Sequence, residues 1–215
     1  MAVRPTVGTM LVLQGTFSFT ARSSDGEEVT DSFSLRIQVP HVFPRDLPRV
    51  TEIAGRIPRR GEFHINPDDY TLCLGSPVRL LTIISGQPTL TGFAANCLVP
   101  YLHAVSRRLK SNIPLVFGEL DHGQKGALAD YVVLFGLQHR EQALTALRLL
   151  GMRKRVANKQ RCPCNCGRRL GRCSLNRRLA PFRALVGRSW FRTAALGRAL
   201  ANKPPNPDKP NRSRK

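Results

Sequence analysis

The chain has 215 residues, enough for one domain with an appendage or two small ones, and its 41% hydrophobic content is that of a folded protein rather than a disordered one. No apolar run reaches the ~18 residues needed to span a bilayer, and Met1–Met10 lacks the basic-then-apolar order of a secretory leader, so neither a membrane span nor Sec-type export is expected and the reading is cytoplasmic. The net charge of +20 is concentrated: residues 151–215 hold 19 basic residues and one acid, Asp208 (+18), while residues 1–150 hold 15 basic and 13 acidic (+2).

In chain order, Leu11, Leu13, Gly15, Phe17 and Phe19 form one face of a two-residue alternation, a first strand beginning by about Met10. Asp25-Gly26 is a turn signal. Phe33, Leu35, Ile37 and Val39 then alternate with Ser34, Arg36 and Gln38, the pattern of a half-buried strand. A loop with Pro40, Pro44 and Pro48 follows, and Arg49–Ile57 reads as a third strand. Together these give an antiparallel meander with one wet face.

Past residue 75 the period changes. Leu90, Phe93, Ala94, Cys97, Leu98, Tyr101, Leu102, Val105 and Leu109 recur at three- and four-residue steps, an amphipathic helix that Thr89 or Thr91 could cap. Two more helices are expected, at about Gln124–Leu137 and Arg140–Lys154. Strands first and helices second is a segregated α+β pattern. The C-terminal part divides into a cysteine cluster within Arg161–Cys173, a basic amphipathic helix over Ala180–Ala201, and Lys203–Lys215, too rich in proline and charge to fold. The expected units are therefore 1–155, 156–178, 179–202 and 203–215.

Phe63–Pro77 reads FHINPDDYTLCLGSP. A cysteine between Leu72 and Leu74 suits a core position, but Asn66-Pro67-Asp68-Asp69 is turn chemistry that folds the chain back between His64 and Cys73. Gly75, Ser76 and Pro77 mark a further break, leaving Cys73 on a short irregular stretch of the kind that carries functional groups.

His64-Ile65-Asn66 followed by Cys73-Leu74 resembles the His-Pro-Asn…Cys-Leu signature of ubiquitin-conjugating (E2) enzymes, with Ile65 where the family has proline. Phe43-Pro44-Arg45-Asp46-Leu47-Pro48 is similar to the family's aromatic-proline loop between strands. Pro100-Tyr101-Leu102, Phe117–Gly123 and Tyr131 resemble the bacterial E2-like branch found in antiphage (CBASS) operons beside a cGAS-like nucleotidyltransferase. The resemblance covers roughly residues 10–140. It implies an E2-like fold in which Cys73 takes an acyl group from a partner's C-terminal glycine as a thioester and passes it to a lysine or other nucleophile. It implies that Asn66 holds the turn or donates to the oxyanion, and that His64 braces the loop rather than acting as base. Glu119, Asp121 and His122 are candidates for steering or deprotonating the nucleophile, with helix capping by Asp121 as the alternative.

Cys162-Pro163-Cys164-Asn165-Cys166 and Cys173 place four thiols within twelve positions, a spacing that suits structural Zn²⁺. The run resembles the SEC-C zinc motif, CxC-x8-C followed by Cys or His. Ser174 stands at the fourth ligand position, and Cys166 is read as supplying the missing thiolate. Unliganded or redox-active cysteines are the alternative. The surrounding arginines suit a phosphate polyanion, nucleic acid or an acidic partner protein, against the plainer reading of solvated charge. Two functions follow: an E2-like acyl-transfer enzyme, or a catalytically silent module of that fold which binds through its basic zinc segment.

Overall fold

A computed structural model describes residues 1–4, 10–23, 26–111, 115 and 124–201. The molecule is mixed α and β: an antiparallel sheet comes first in the chain, and helices and the cysteine cluster follow. Among the described residues the sheet has four strands in sequential order, β1 (Ala2–Arg4), β2 (Met10–Arg22), β3 (Glu28–Pro40) and β4 (Arg49–Glu52). The β2–β3 register pairs Leu13 with Ile37 and Phe17 with Phe33. Phe33, Leu35, Ile37 and Val39 are all buried, as their alternation requires. Leu11 departs from its expected face: it is exposed, and Val12 is buried instead. The sheet also begins earlier than Met10, because β1 pairs with Val12–Gln14.

β4 is shorter than the expected Arg49–Ile57. The buried Glu52 carboxylate accepts the Ala54 N–H at 2.8 Å and the Ile57 N–H at 3.4 Å, and Gly55 adopts φ +74°, so the chain turns immediately after Glu52.

The helices are α1 (Pro77–Gly86), α2 (Leu90–Phe93), α3 (Val99–Ser111), α4 (Gln124–Phe135), α5 (Arg140–Leu150), α6 (Lys154–Ala157), α7 (Ser174–Leu179), α8 (Phe182–Leu185) and α9 (Arg188–Ala201). Thr89 caps α2, its hydroxyl accepting from the Gly92 N–H at 3.0 Å. Between α2 and α3, Ala94–Leu98 widens into a π turn, and Val99 donates to Ala94. Pro100 explains this: it has no N–H and its ring would press on the carbonyl four residues back, so the preceding turn takes in one extra residue.

Two expectations fail in the helical half. Gly75-Ser76-Pro77 is not merely a break, because Pro77 is the first residue of α1, a place where a missing N–H costs nothing. The single helix expected over Ala180–Ala201 is two, α8 and α9. Val186 is extended (φ −147°, ψ 163°), and the chain turns through Gly187 before α9 starts.

Among the described residues there are two hydrophobic cores, and α1 lies between them. Leu80 and Ile84, one turn apart, join the core under the sheet with Phe33, Leu35, Leu98, Tyr101 and Leu102. Val78 and Leu81, on another face, join a second core with Tyr131, Phe135, Leu147, Leu170, Leu175, Leu179 and Phe191. The cysteine segment and the helices after it thus share a core with α4 and α5. Arg183 ties the same region together by donating to the carbonyls of Leu149 (3.1 Å), Leu150 (3.2 Å) and Met152 (3.3 Å) at the end of α5.

Asp31 links the sheet to its helical cover. Its carboxylate accepts two hydrogen bonds from Arg56 (2.7 and 2.8 Å) and one from the Ser106 hydroxyl of α3 (2.7 Å). Burial works to raise this carboxyl, but Arg56, Ser106 and the Ser32 N–H outweigh it and hold it at about 2. A carboxyl held low in the folded state stabilises above its unfolded value, and that contribution fades as pH falls from about 4 toward 2. Arg56 is 40% exposed, so screening reduces the effect to about 1–2 kcal/mol. Asp31→Asn should lower the unfolding free energy in urea by that amount at pH 7, and the gap from wild type should narrow by pH 2.5 and close only below pH 2. An equal gap at both pH values would show that packing, not charge, makes the link.

Candidate functional site

After β4 the chain makes a 3₁₀ turn at Gly61–Phe63, which His64 ends in the left-handed conformation (φ 51°). From there it runs out and back as a narrow antiparallel ribbon. Asn66 N–H donates to Thr71 O (2.9 Å), Ile65 bridges Leu72, and Cys73 N–H donates to His64 O (2.8 Å). The returning arm is fastened to the sheet edge by Leu72 N–H to Val50 O (2.8 Å) and by the Thr51–Thr71 bridge. Ile65 and Leu72 point into the core, and that anchors the register of the ribbon.

The tip is held by side chains. Asn66 Nδ2 donates to Thr71 Oγ1 (2.8 Å), and Thr71 donates its hydroxyl (2.6 Å) and its N–H (3.0 Å) to Asp69. The Thr71 hydroxyl holds the Asp69 carboxyl below its usual range against the effect of burial, with help from the Thr71 N–H and Arg49. Tyr70 completes the turn at φ 56°.

Cys73 follows directly and is half-buried. Burial pushes its thiol above the usual range, and the Gly75 N–H aimed at the sulfur pulls the other way. Gly75 sits at φ +145°, a conformation that glycine alone adopts freely. The Tyr101 hydroxyl donates to Phe63 O at 2.7 Å beneath the start of the ribbon. Burial pushes the Tyr101 phenol upward, and the charge of a Cys73 thiolate adds to the effect.

Three residues beyond the thiol, the helical half grips the chain. Asp130 of α4 accepts the Ser76 hydroxyl and a bidentate pair from Arg79, whose Nε lies 2.9 Å from both carboxylate oxygens. Tyr131 Oη accepts the Val78 N–H at 3.4 Å.

The expected residues therefore separate into groups. His64 and Asn66 share the ribbon with Cys73. His64 meets it through a backbone hydrogen bond, and the Asn66 amide spans the turn to Thr71. Glu119, Asp121 and His122 lie outside the described residues. Cys97 is buried in the first core, its thiol pushed to about 11 by burial. The Gly75 amide, Tyr101, Ser76 and Asp130 were not anticipated as parts of the site. Ser76-Pro77 ahead of apolar residues at 78, 81 and 84 was the available signal, since it is a helix start.

The second constellation is the cysteine cluster. Residues 160–162 run alongside 168–170, with Cys162 N–H donating to Arg168 O and Leu170 N–H to Gln160 O, both at 2.9 Å. The reversal between them uses left-handed Asn165 (φ 60°) and Gly167 (φ 73°). Cys173 then caps α7, its sulfur accepting from Leu175 N–H at 3.5 Å. All four sulfurs lie within 4.8 Å of one another, Cys162–Cys164 at 3.2 Å and Cys164–Cys173 at 3.6 Å. A disulfide needs ~2.05 Å, whereas thiolates on one tetrahedral ion at ~2.3 Å sit roughly 3.8 Å apart. The set can hold a metal ion, and Cys166 belongs to it. The Leu175 N–H is the main influence that draws the Cys173 thiol down to about 6, toward the ligating form.

No known family model, curated protein or solved structure matches this chain. Among the described residues, no helix is long and apolar enough to cross a membrane.

Proposed function

We propose that the chain is an E2-like acyl carrier with Cys73 as its nucleophile. One observation carries the reading: a half-buried thiol lies at the end of a doubly anchored ribbon, immediately before the turn into α1. The meander followed by a cysteine turn and then helices is the element order that the E2 resemblance calls for.

The donor is an activated acyl group, a thioester or acyl adenylate at a partner's C-terminal glycine. The Cys73 sulfur attacks the carbonyl carbon. The new C–S bond forms, the donor's leaving group departs, and the thiol proton passes to solvent or to that group. An incoming amine then forms the C–N bond, loses its proton, and the C–S bond breaks to return the Cys73 thiolate. A thiol whose pKa is raised is a poorer leaving group once acylated, which lengthens the life of the thioester toward water and amines alike. In this reading Asn66 holds the turn and His64 braces it, Asp121 and His122 receive the nucleophile, and a cGAS-like nucleotidyltransferase is the acyl partner.

We infer that the cysteine cluster holds structural Zn²⁺. Four sulfur donors suit this ion and leave no open position for chemistry.

Intact-protein mass spectrometry of the chain co-expressed with its candidate donors should show an adduct on Cys73 that thiols discharge. Cys73→Ala should carry none, and Cys73→Ser should retain an oxyester resistant to thiols. No adduct with any donor, or one unaffected by Cys73→Ala, would sink the proposal. Because burial raises the thiol, alkylation by iodoacetamide should stay slow at pH 7 and climb at a higher pH than for free cysteine.

A further inference from the structure

We propose that the basic ribbon around the cysteine cluster is a docking surface for the phosphate backbone of nucleic acid. Lys159, Arg161, Arg168, Arg169 and Arg172 are all exposed. Their segments are joined edge to edge by the hydrogen bonds Gly171 N–H to Asn158 O (3.0 Å), Leu170 N–H to Gln160 O and Cys162 N–H to Arg168 O (both 2.9 Å). Arg161 and Arg169 stand directly opposite each other in an antiparallel bridge. Like charges at such a pair are destabilising, so folding supplies no reason for them.

From Gln142 to Pro207 the sequence has no Asp or Glu. Among the described residues, no ion pair includes Lys159, Arg161, Arg168, Arg169 or Arg172. Among the described residues, ion pairs thus occur in the body and none involves the cysteine ribbon. Arg178 and Arg192 are left out of the surface, because they lie over Gly136 and Gly151 at the ends of α4 and α5.

The surface is also firmly mounted. Leu170, Leu175 and Leu179 beneath it are fully buried in the second core. Gly171 lies so close to Asn158 that a side chain there would meet the Asn158 carbonyl at 3.1 Å. A backbone held in place loses little freedom on meeting a polyanion, in contrast to a flexible arm. The segment offers no stacking platform: Phe182 and Phe191 are buried, and the Trp190 ring packs edge-on against Phe191 with 5.2 Å between centroids. The ligand is therefore read by its phosphates and not its bases.

The test is fluorescence anisotropy of the full chain with a 20-base-pair duplex of scrambled sequence. Binding should be independent of sequence. With about five phosphates engaged, log K should fall against log salt with a slope of about −4 to −5. Arg161→Glu, Arg169→Glu and Arg172→Glu together should weaken binding at least 100-fold at low salt. Arg45→Glu, Arg59→Glu and Lys110→Glu in the body make the same charge change and should cost less than threefold. Unchanged metal content and circular dichroism certify the fold, and the glutamine versions of the same three arginines replace the reversed set if it fails to fold. Replacing Lys203, Lys209, Arg212, Arg214 and Lys215 with glutamine should leave at least a tenth of the affinity. Loss of binding through that tail set alone, equal loss through the body set, or competition by polyglutamate as effective as by duplex would each overturn the assignment. The last result would point to an acidic protein instead.

Discussion

Cys162→Ser is expected to remove stoichiometric metal and to melt the helical half of the molecule well before the sheet. The reason lies in what surrounds the cluster. Cys162 is buried in the second core, and the chain leaving the cluster supplies Leu170, Leu175, Leu179 and Phe191, each almost wholly buried against α4 and α5. The ribbon that carries three of the four thiols has little core of its own to hold its shape: Asn165, Cys166, Gly167, Arg168 and Arg169 are all exposed. Without an ion, the four thiols within 4.8 Å of one another lose the attraction that would gather them. Structural zinc supplies an apparent ~10–16 kcal/mol in small zinc-dependent folds. A loss of only ~4 kcal/mol of such a contribution lowers the melting temperature of a chain this size by roughly 10 °C. Elemental analysis and a thermal scan, with and without a strong chelator, make the check. One equivalent of zinc and a chelator-sensitive transition are expected. A metal-free protein with an unchanged transition would mean that the four thiols merely pack. Ser174→Ala should change neither, because Ser174 is exposed at the first turn of α7 while Cys166 completes the sulfur set.

The cluster was legible in the sequence because its information is local: four cysteines within twelve positions, with Asn165 and Gly167 to make the turn. β3 was legible for the same reason, since its period of two is written in consecutive residues. The helix of residues 90–111 was legible as a helix, yet its π turn follows from a single proline, Pro100, inside an otherwise regular pattern. Helix α1 was hidden by the double meaning of Ser-Pro, which ends one element or begins another. What decides between them is burial on two faces at once, Leu80 and Ile84 toward the sheet, Val78 and Leu81 toward α4.

The polar clamps were not legible. Asp31 finds Arg56 and Ser106 at separations of 25 and 75 residues, and Asp130 finds Arg79 and Ser76 at 51 and 54. No local pattern encodes such pairs. They become visible only once the chain has folded and each buried carboxylate must have a partner. The Cys73 site shows both situations. The turn between His64 and Cys73 could be read from Asn66-Pro67-Asp68-Asp69, but the Asp130 grip on Ser76 could not.

That grip sets the second large expectation, for Asp130→Ala. The Asp130 side chain is only 7% exposed and serves three donor groups, one from Ser76 and two from the Arg79 guanidinium. Removing one member of a buried pair costs ~3–5 kcal/mol, because the remaining charge is left without compensation. Arg79 is 43% exposed and regains some water, so a loss of about 2–3 kcal/mol is expected here. Asp130→Asn keeps the shape and an acceptor for Ser76 but loses the charge, and should cost about half as much. The consequence for the thiol is separate from the consequence for stability. Ser76 and Arg79 are the points at which α4 holds the segment that begins at Cys73, so amide exchange at Leu74–Val78 should quicken in Asp130→Ala, and Cys73 alkylation with it. Arg79→Met, which keeps the aliphatic stem, should reproduce the stability loss in part while Ser76 remains bound. A double-mutant cycle between positions 79 and 130 should return a coupling of about 1–2 kcal/mol. If Asp130→Ala unfolds at lower urea yet leaves exchange at Leu74–Val78 and the alkylation rate unchanged, then the clamp holds the two cores together without positioning the thiol. The ribbon's own anchors at Val50 and His64 would then account for the geometry of Cys73.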